Sequence, residues 1–315
     1  MEKDAKIYVA GHTGLIGSAL VRKLKEDGYE NLVLKTHDEL DLRRQEDVEE
    51  FFRRENPEYV FIAAATVGGV LANSTYPAKF FYDNMMITVN VIHAAYCYGV
   101  KKLLYLGSGC IYPKLAEQPI GEESLLTGAI EPTNEGYALA KIAGIRMCEY
   151  YNREYGTDYI SCIPANAYGP GDNYDPEASH VVPALIRKAH EAKVRNDDEM
   201  IMWGTGNPIR EFIYIDDIAD ACVFLMNYYT GNETINIGTG TEYTIRELTE
   251  KVNDVVGFRG KIVNDLSKPD GAPRKLLDST RIFEMGWRPK ISFDEGIRYT
   301  YQDFLTNKLK LEEEK

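Results

Sequence analysis

Lys6-Ile-Tyr-Val-Ala10-Gly11-His-Thr-Gly14-Leu-Ile-Gly17 is the stretch on which the architecture turns. A short apolar run enters a turn carrying three glycines spaced three apart. The chain leaves that turn through Leu15 to Asp27, where Leu15, Ala19, Leu20 and Leu24 fall near one helical stripe. Strand, glycine turn and helix together form a seat for a dinucleotide. The glycines permit unusual torsions, let backbone approach a pyrophosphate and let helix pack close to strand, while the helix amino end attracts the anion. Gly11, Thr13, Gly14, Leu15, Ile16 and Gly17 are therefore candidate coenzyme contacts. The spacing is GxxGxxG rather than the commoner GxGxxG, and a glycine-rich turn without a ligand is the plain alternative; the flanking strand and helix disfavour it.

The same alternation continues outward. Apolar runs at Asn31 to Lys35, Tyr59 to Ala64 and Lys102 to Gly107 are separated by helical stretches at Asp47 to Arg54 and Asn84 to Tyr98, and Tyr159 to Ile163 and Thr234 to Ile237 can extend the sheet. This predicts an α/β fold, a doubly wound parallel Rossmann sheet of at least six strands with right-handed crossovers. From Tyr168 the run Tyr-Gly-Pro-Gly-Asp-Asn-Tyr-Asp-Pro is rich in turn formers and precedes a helix beginning near Ser179. We expect a dinucleotide-binding domain over residues 1–168 plus about 211–239 and a smaller substrate-binding lobe over 169–210 plus about 240–307. Lys308 to Lys315 form a charged tail.

Composition narrows the function. Lysine and arginine number 36 against 49 acidic residues, a net charge of −13, so the average surface repels nucleic acid and anionic membrane. A small anionic ligand remains compatible, because screening over about 8–10 Å lets a local basic cavity override a distant surface. The five cysteines, Cys97, Cys110, Cys148, Cys162 and Cys222, contain no CxxC pair. With no signal core and no long apolar stretch, the reading is a cytoplasmic protein without metal.

Tyr137-Ala-Leu-Ala-Lys141 places a tyrosine and a lysine on one face of a helix running to about Tyr155. Reducing a carbonyl requires a proton at oxygen as hydride reaches carbon, and a free tyrosine, with a pKa of about 10, is a reluctant donor. A nearby ammonium brings that proton into range. Ser108, at the carboxyl end of the strand ending at Gly107, is placed to hydrogen-bond the same oxygen.

The glycine spacing, Ser108, Tyr137, Lys141 and the Asn166-Ala-Tyr-Gly-Pro170 segment together resemble the extended short-chain dehydrogenase/reductases, which act on nucleotide sugars. Leu106-Gly-Ser-Gly-Cys110-Ile-Tyr-Pro-Lys-Leu, Ala64-Ala-Thr-Val-Gly-Gly69, Ser179-His-Val-Val-Pro-Ala-Leu185, Trp203-Gly-Thr-Gly206, Arg210-Glu-Phe212 and Lys268-Pro-Asp-Gly-Ala-Pro-Arg-Lys-Leu-Leu-Asp278 resemble, within that superfamily, the GDP-L-fucose synthases. These epimerise GDP-4-keto-6-deoxy-D-mannose at C3 and C5 and then reduce C4 with NADPH. The resemblance implies that Tyr137 donates the proton, that Ser108 and Lys141 assist it, and that Cys110 and His180 are the epimerising acid–base pair. It also implies that Lys141 touches the nicotinamide ribose, and that Pro164, Ala165, Asn166 and Ala167 flank the nicotinamide, with His180 also at the coenzyme. Asp41 and Leu42 stand where adenine is held; a solvated acid within Asp38-Glu39-Leu40-Asp41 is the plain alternative for Asp41. Lys188, Trp203, Arg210 and Asp278 match positions that hold the GDP-sugar, with Lys188 replacing the usual arginine's fork by a point charge.

Two departures bear on the reading. Relatives using NADPH place arginines where this chain has Thr13 and His37, which weakens the preference for NADP and leaves room for NAD. Gly109 stands where many relatives have a second serine, removing a donor and loosening the turn that aims Cys110. The alternatives are therefore a GDP-4-keto-6-deoxy-sugar or deoxyheptose C4 reductase that does not epimerise, a 4-epimerase with tightly held NAD, and a non-catalytic dinucleotide-sensing regulator. Apolar side chains on more than one face of two helices, including Met85, Ile87, Val91, Ile142, Ile145 and Met147, predict a homodimer.

Overall fold

The computed structural model describes residues 1–175, 179–268 and 270–308. Its chain begins β1 (Ile7–Ala10), α1 (Leu15–Glu26), β2 (Leu32–Val33), α2 (Gln45–Glu55), β3 (Tyr59–Ile62), α3 (Val70–Thr75), α4 (Pro77–Cys97) and β4 (Lys102–Leu106). There follow α5 (Glu135–Tyr155), β5 (Tyr159–Pro164), β6 (Asn166–Tyr168), α6 (Val181–Arg195), β7 (Glu199–Trp203), β8 (Ile209–Tyr214), α7 (Ile215–Tyr228) and β9 (Ile235–Ile237). The remainder is β10 (Glu242–Thr244), α8 (Ile245–Val256), β11 (Lys261–Asp265), β12 (Arg274–Lys275), α9 (Thr280–Glu284) and α10 (Phe293–Asp303).

Six strands form one parallel sheet in the order β2-β1-β3-β4-β5-β9. Every residue of β1, β3, β4 and β5 is buried, because helices cover both faces, which is why these strands read as unbroken apolar runs. Successive side chains still alternate. Tyr8, Val60, Ile62, Leu103 and Tyr105 join Phe52, Val91 and Ile145 on the face covered by α2, α4 and α5. Ile7, Val9, Phe61, Leu104 and Leu106 join Leu20, Leu24, Ile218 and Leu225 on the face covered by α1 and α7. A third cluster, including Tyr168, Ile186, Phe212, Leu248, Val252 and Ile297, gathers around a small sheet ordered β10-β8-β12, with β6 also paired to β8. β7 and β11 pair in parallel beside it.

Some boundaries differ from the sequence reading for identifiable reasons. β2 holds two residues rather than the five of Asn31 to Lys35, because Thr36 starts a turn: Leu40 N–H donates to its carbonyl at 3.0 Å, and Glu39 accepts from its N–H at 2.9 Å. α4 starts seven residues before Asn84, at Pro77, a residue suited to a first helical turn. Asn84 is buried inside it, exchanging hydrogen bonds with the backbone of Thr66 at 3.0 and 2.9 Å. Of the apolar residues that the sequence spreads over more than one face of these helices, Ile87, Val91, Ile142 and Ile145 pack in the core against the sheet. The exposed apolar residues on these helices are Phe81, Tyr82, Val89 and Tyr96 on α4 and Leu139, Tyr150 and Tyr155 on α5. Among the described residues no helix is long and apolar enough to cross a membrane. The charged tail beyond Lys308, together with Pro176 and Pro269 of the turn-rich segments, lies outside the described residues.

Candidate active site

The glycine turn is closed by contacts that no side chain would tolerate. Gly11 has φ +81°, and a Cβ there would lie 2.6 Å from the backbone of Ala64; one on Gly17 would lie 2.0 Å from the Gly11 carbonyl oxygen. Gly14 N–H donates to that oxygen at 3.0 Å and opens α1 with no side-chain cap and no acid in the first turn. The Nδ1 atom of His12, buried in the same turn, has no hydrogen-bond partner. An uncapped helix end with backbone packed this closely fits a pyrophosphate, so the residues present suit a dinucleotide coenzyme.

Past β2, the Asp41 carboxylate is held by Arg43 through two hydrogen bonds of 2.9 and 2.8 Å, which draw it down to about 2. Arg43 also reaches Asp83 at 3.3 Å and stands 3.5 Å from His37 Nε2. Sequence reasoning missed this guanidinium beside His37, since it compared only the positions matching Thr13 and His37. Thr13 is exposed. The Leu42 side chain packs in the core, and its carbonyl accepts from Asn90 at 2.9 Å.

Ser108 ends the run from β4 in extended conformation and starts a 3-10 turn, Gly109–Ile111. Cys110 therefore sits within that turn rather than on a strand end, as its spacing had suggested. Ser108 lies beside both Tyr137 and Cys110 and lowers the proton affinity of each. Burial, with Cys110 and Tyr105 nearby, pushes the Tyr137 phenol well up, against the pull of Ser108. Lys141 is buried, donates to the Leu106 carbonyl at 2.7 Å and lies 5.8 Å from the centre of the Tyr137 ring. Loss of hydration brings its ammonium down to about 8. Its hydrogen bond goes to the strand end, not to the phenol. Burial likewise pushes the Cys110 thiol up, opposed by the Ser108 hydrogen bond and by the charges of Lys275 and Lys141. Lys275 is a second residue that sequence reasoning missed; strand pairing sets it opposite Arg210, a register no local pattern reveals.

A cavity of about 220 Å³ is lined by Asn166, Val181, Trp203, Arg210, Phe212 and Asp270, among others. His180 caps the helix that Val181 begins, and its ring faces Asp172 at 3.8 Å. Pro164 closes β5, Ala165 N–H donates to Ile237, Asn166 donates to the Glu211 carbonyl at 2.7 Å, and Ala167 pairs with Ile213. Trp203 is exposed, with the ammoniums of Lys188 and Lys268 at 4.5 and 5.1 Å from its ring. Arg210 is partly buried, and its guanidinium donates to its neighbour's carbonyl at 2.8 Å. Glu211, the next residue, is fully buried and accepts from the N–H groups of Thr239, Gly240 and Leu277 at 2.6, 2.8 and 3.1 Å. Asp278 is turned to the start of α9, where it accepts from Thr280 N–H at 2.9 Å.

Residues 7–238 match the model of the NAD dependent epimerase/dehydratase family. Over 306 residues the chain is 60% identical to GDP-L-fucose synthase 1 of Arabidopsis thaliana, covering 97% of this chain and 95% of the relative. The chain belongs to this family, in its GDP-L-fucose synthase branch. The solved GDP-L-fucose synthetase of Naegleria fowleri bound to NADP superposes with a TM-score of 0.90 at 30% identity, covering 98% of this chain and 96% of that one. A GDP-6-OMe-4-keto-L-xylo-heptose reductase from C. jejuni superposes at 0.91 with 40% identity, covering 97% and 99%.

Proposed function

We propose that this protein converts GDP-4-keto-6-deoxy-D-mannose to GDP-L-fucose, inverting C3 and C5 and then reducing C4, with NADPH as coenzyme. The observation that carries the reading is Ser108 standing beside both a phenol, Tyr137, and a thiol, Cys110, at the turn that follows β4. The C4 ketone acidifies the hydrogens on C3 and C5, and inversion removes a proton from one face and returns one to the other. Cys110 and His180 take those roles. The electron pair left on carbon delocalises into the carbonyl, whose oxygen Ser108 and Tyr137 hold. Tyr137 then gives its proton to that oxygen as reduction proceeds, and Lys141 supplies the positive charge beside it. When bound, the coenzyme supplies hydride to C4. Lys188, Trp203 and Arg210 hold the GDP end, the arginine by its fork on the diphosphate.

NADPH is preferred over NADH in this reading, with Lys35 and Arg43 as cations in the segment after β2 and the His37 ring beside Arg43. Two copies associate through α4 and α5, whose outer faces expose Phe81, Tyr82, Val89, Leu139 and Tyr150. The coenzyme domain is residues 1–168 plus about 211–239. Incubation with the keto sugar and either coenzyme, product stereochemistry being read by NMR, tests the reaction; light scattering at the monomer mass of 35.7 kDa would remove the dimer.

Gly109, together with the similarity to the C. jejuni reductase, favours one second reading: reduction at C4 without epimerisation. Reduction in deuterated water with no label at C3 or C5 would establish it.

A further inference from the structure

We propose that Asp172 is the positioning residue for His180: its buried carboxylate faces Nδ1 of the imidazole, keeps the proton on that atom and leaves Nε2 to exchange protons with the sugar. This rests on the reading of His180 as half of the epimerising pair and assigns the partner that reading lacks.

Asp172 sits in the turn after β6, where Gly169 and Gly171 have φ +155° and +84°. It is 3% exposed. A carboxylate so far from water is costly unless its oxygens are matched. One oxygen, Oδ1, accepts from Asn173 N–H at 2.7 Å, and the other, Oδ2, is buried with no hydrogen-bond partner among the described residues. The turn thus keeps an incompletely satisfied anion where an apolar residue would fold more cheaply. Its ion-pair partner is His180 Nδ1, 3.8 Å from Oδ1, on a ring that is 52% exposed. Around the turn, Asp303 of α10 accepts from Gly171 N–H at 3.0 Å, Arg187 of α6 donates to the Tyr174 carbonyl at 3.0 Å and to Glu191 at 2.7 Å, and Asp175 N–H donates to Asn173 at 3.0 Å. Asp172 raises the imidazole's affinity for a proton, against the opposing effect of burial. A carboxylate at one ring nitrogen selects the tautomer and the orientation of the other. Val181, the next residue, lines the cavity with Asn166 and Arg210, which sets His180 one residue from the cavity wall.

The test uses full-length Asp172→Asn and His180→Asn proteins and the double variant, with NADP bound. In ¹⁵N- and ¹³C-histidine-labelled protein, the resonance absent from His180→Asn identifies the ring. The Asp172→Asn exchange should move its titration midpoint to lower pH and convert a single Nδ1–H tautomer into a mixture. Solvent deuterium incorporation at C3 and C5 should fall about ten-fold or more at neutral pH, with its acid limb displaced downward. The double variant should lose no more than His180→Asn alone. An unchanged imidazole titration overturns the proposal, even if exchange declines. If the parent enzyme exchanges neither hydrogen, the epimerase reading fails, and the titration still decides whether Asp172 governs His180.

Discussion

The Lys141 ammonium donates to the carbonyl oxygen of Leu106, the last residue of β4, at 2.7 Å. That bond fixes the cation at the same sheet edge from which Ser108 departs, and burial brings it down to about 8. Below that pH the lysine is charged, and above it the proton is lost together with its support for the phenol. The rate of C4 reduction should therefore fall as pH rises through about 8, in kcat measured at saturating substrate. Tyr137→Phe should lower the same rate by about 10²–10⁴ while leaving coenzyme affinity intact.

A methyl group in the glycine turn meets backbone rather than a yielding side chain. Gly11→Ala combines φ +81° with a 2.6 Å approach to Ala64, and we expect a loss of about 1–3 kcal/mol or more in urea unfolding. Gly17→Ala would force its Cβ to 2.0 Å from the Gly11 oxygen and shift the turn itself. Isothermal titration with NADP should show weaker binding in any Gly17→Ala protein that folds.

Gly109 behaves oppositely, for the atom nearest to an added Cβ is the Pro164 carbonyl oxygen at 4.0 Å. A serine fits there. Replacing a glycine in a compatible conformation narrows the unfolded ensemble, so Gly109→Ser should raise stability by about 0.4–1 kcal/mol. A lower denaturant midpoint would show that the turn needs glycine after all.

Trp203 presents an exposed indole with Lys188 and Lys268 close to its ring. Trp203→Ala should weaken GDP binding about ten-fold by calorimetry and leave NADP binding unchanged. Equal loss for both nucleotides would place the defect in folding rather than in the substrate end.

The parallel sheet was legible because each buried strand is a continuous apolar run, and the glycine turn because its spacing sits between strand and helix. Ser108, Tyr137 and Lys141 were legible for a related reason: helical spacing fixes two of them, and a strand end fixes the third. What local pattern could not convey was pairing across distance. Lys275 lies opposite Arg210 only through the register of β12 on β8, and Arg43 reaches His37 only because the chain turns back at Thr36. The spacing of two residues between Ser108 and Cys110 suggests that both project from one strand end, whereas the backbone tightens into a 3-10 turn directly after Ser108. The sequence left open which of Ile87, Val91, Ile142 and Ile145 meets the sheet, because a helix that is apolar around most of its girth does not reveal that side.

Glu211 gathers amide donors from Thr239, Gly240 and Leu277, while Arg210, one position earlier on the same strand, lines the cavity. The cavity wall that carries Arg210 is thereby cast in one piece with loops from two distant parts of the chain. Its arrangement is settled once, when the polypeptide folds, and does not have to be reassembled at every turnover.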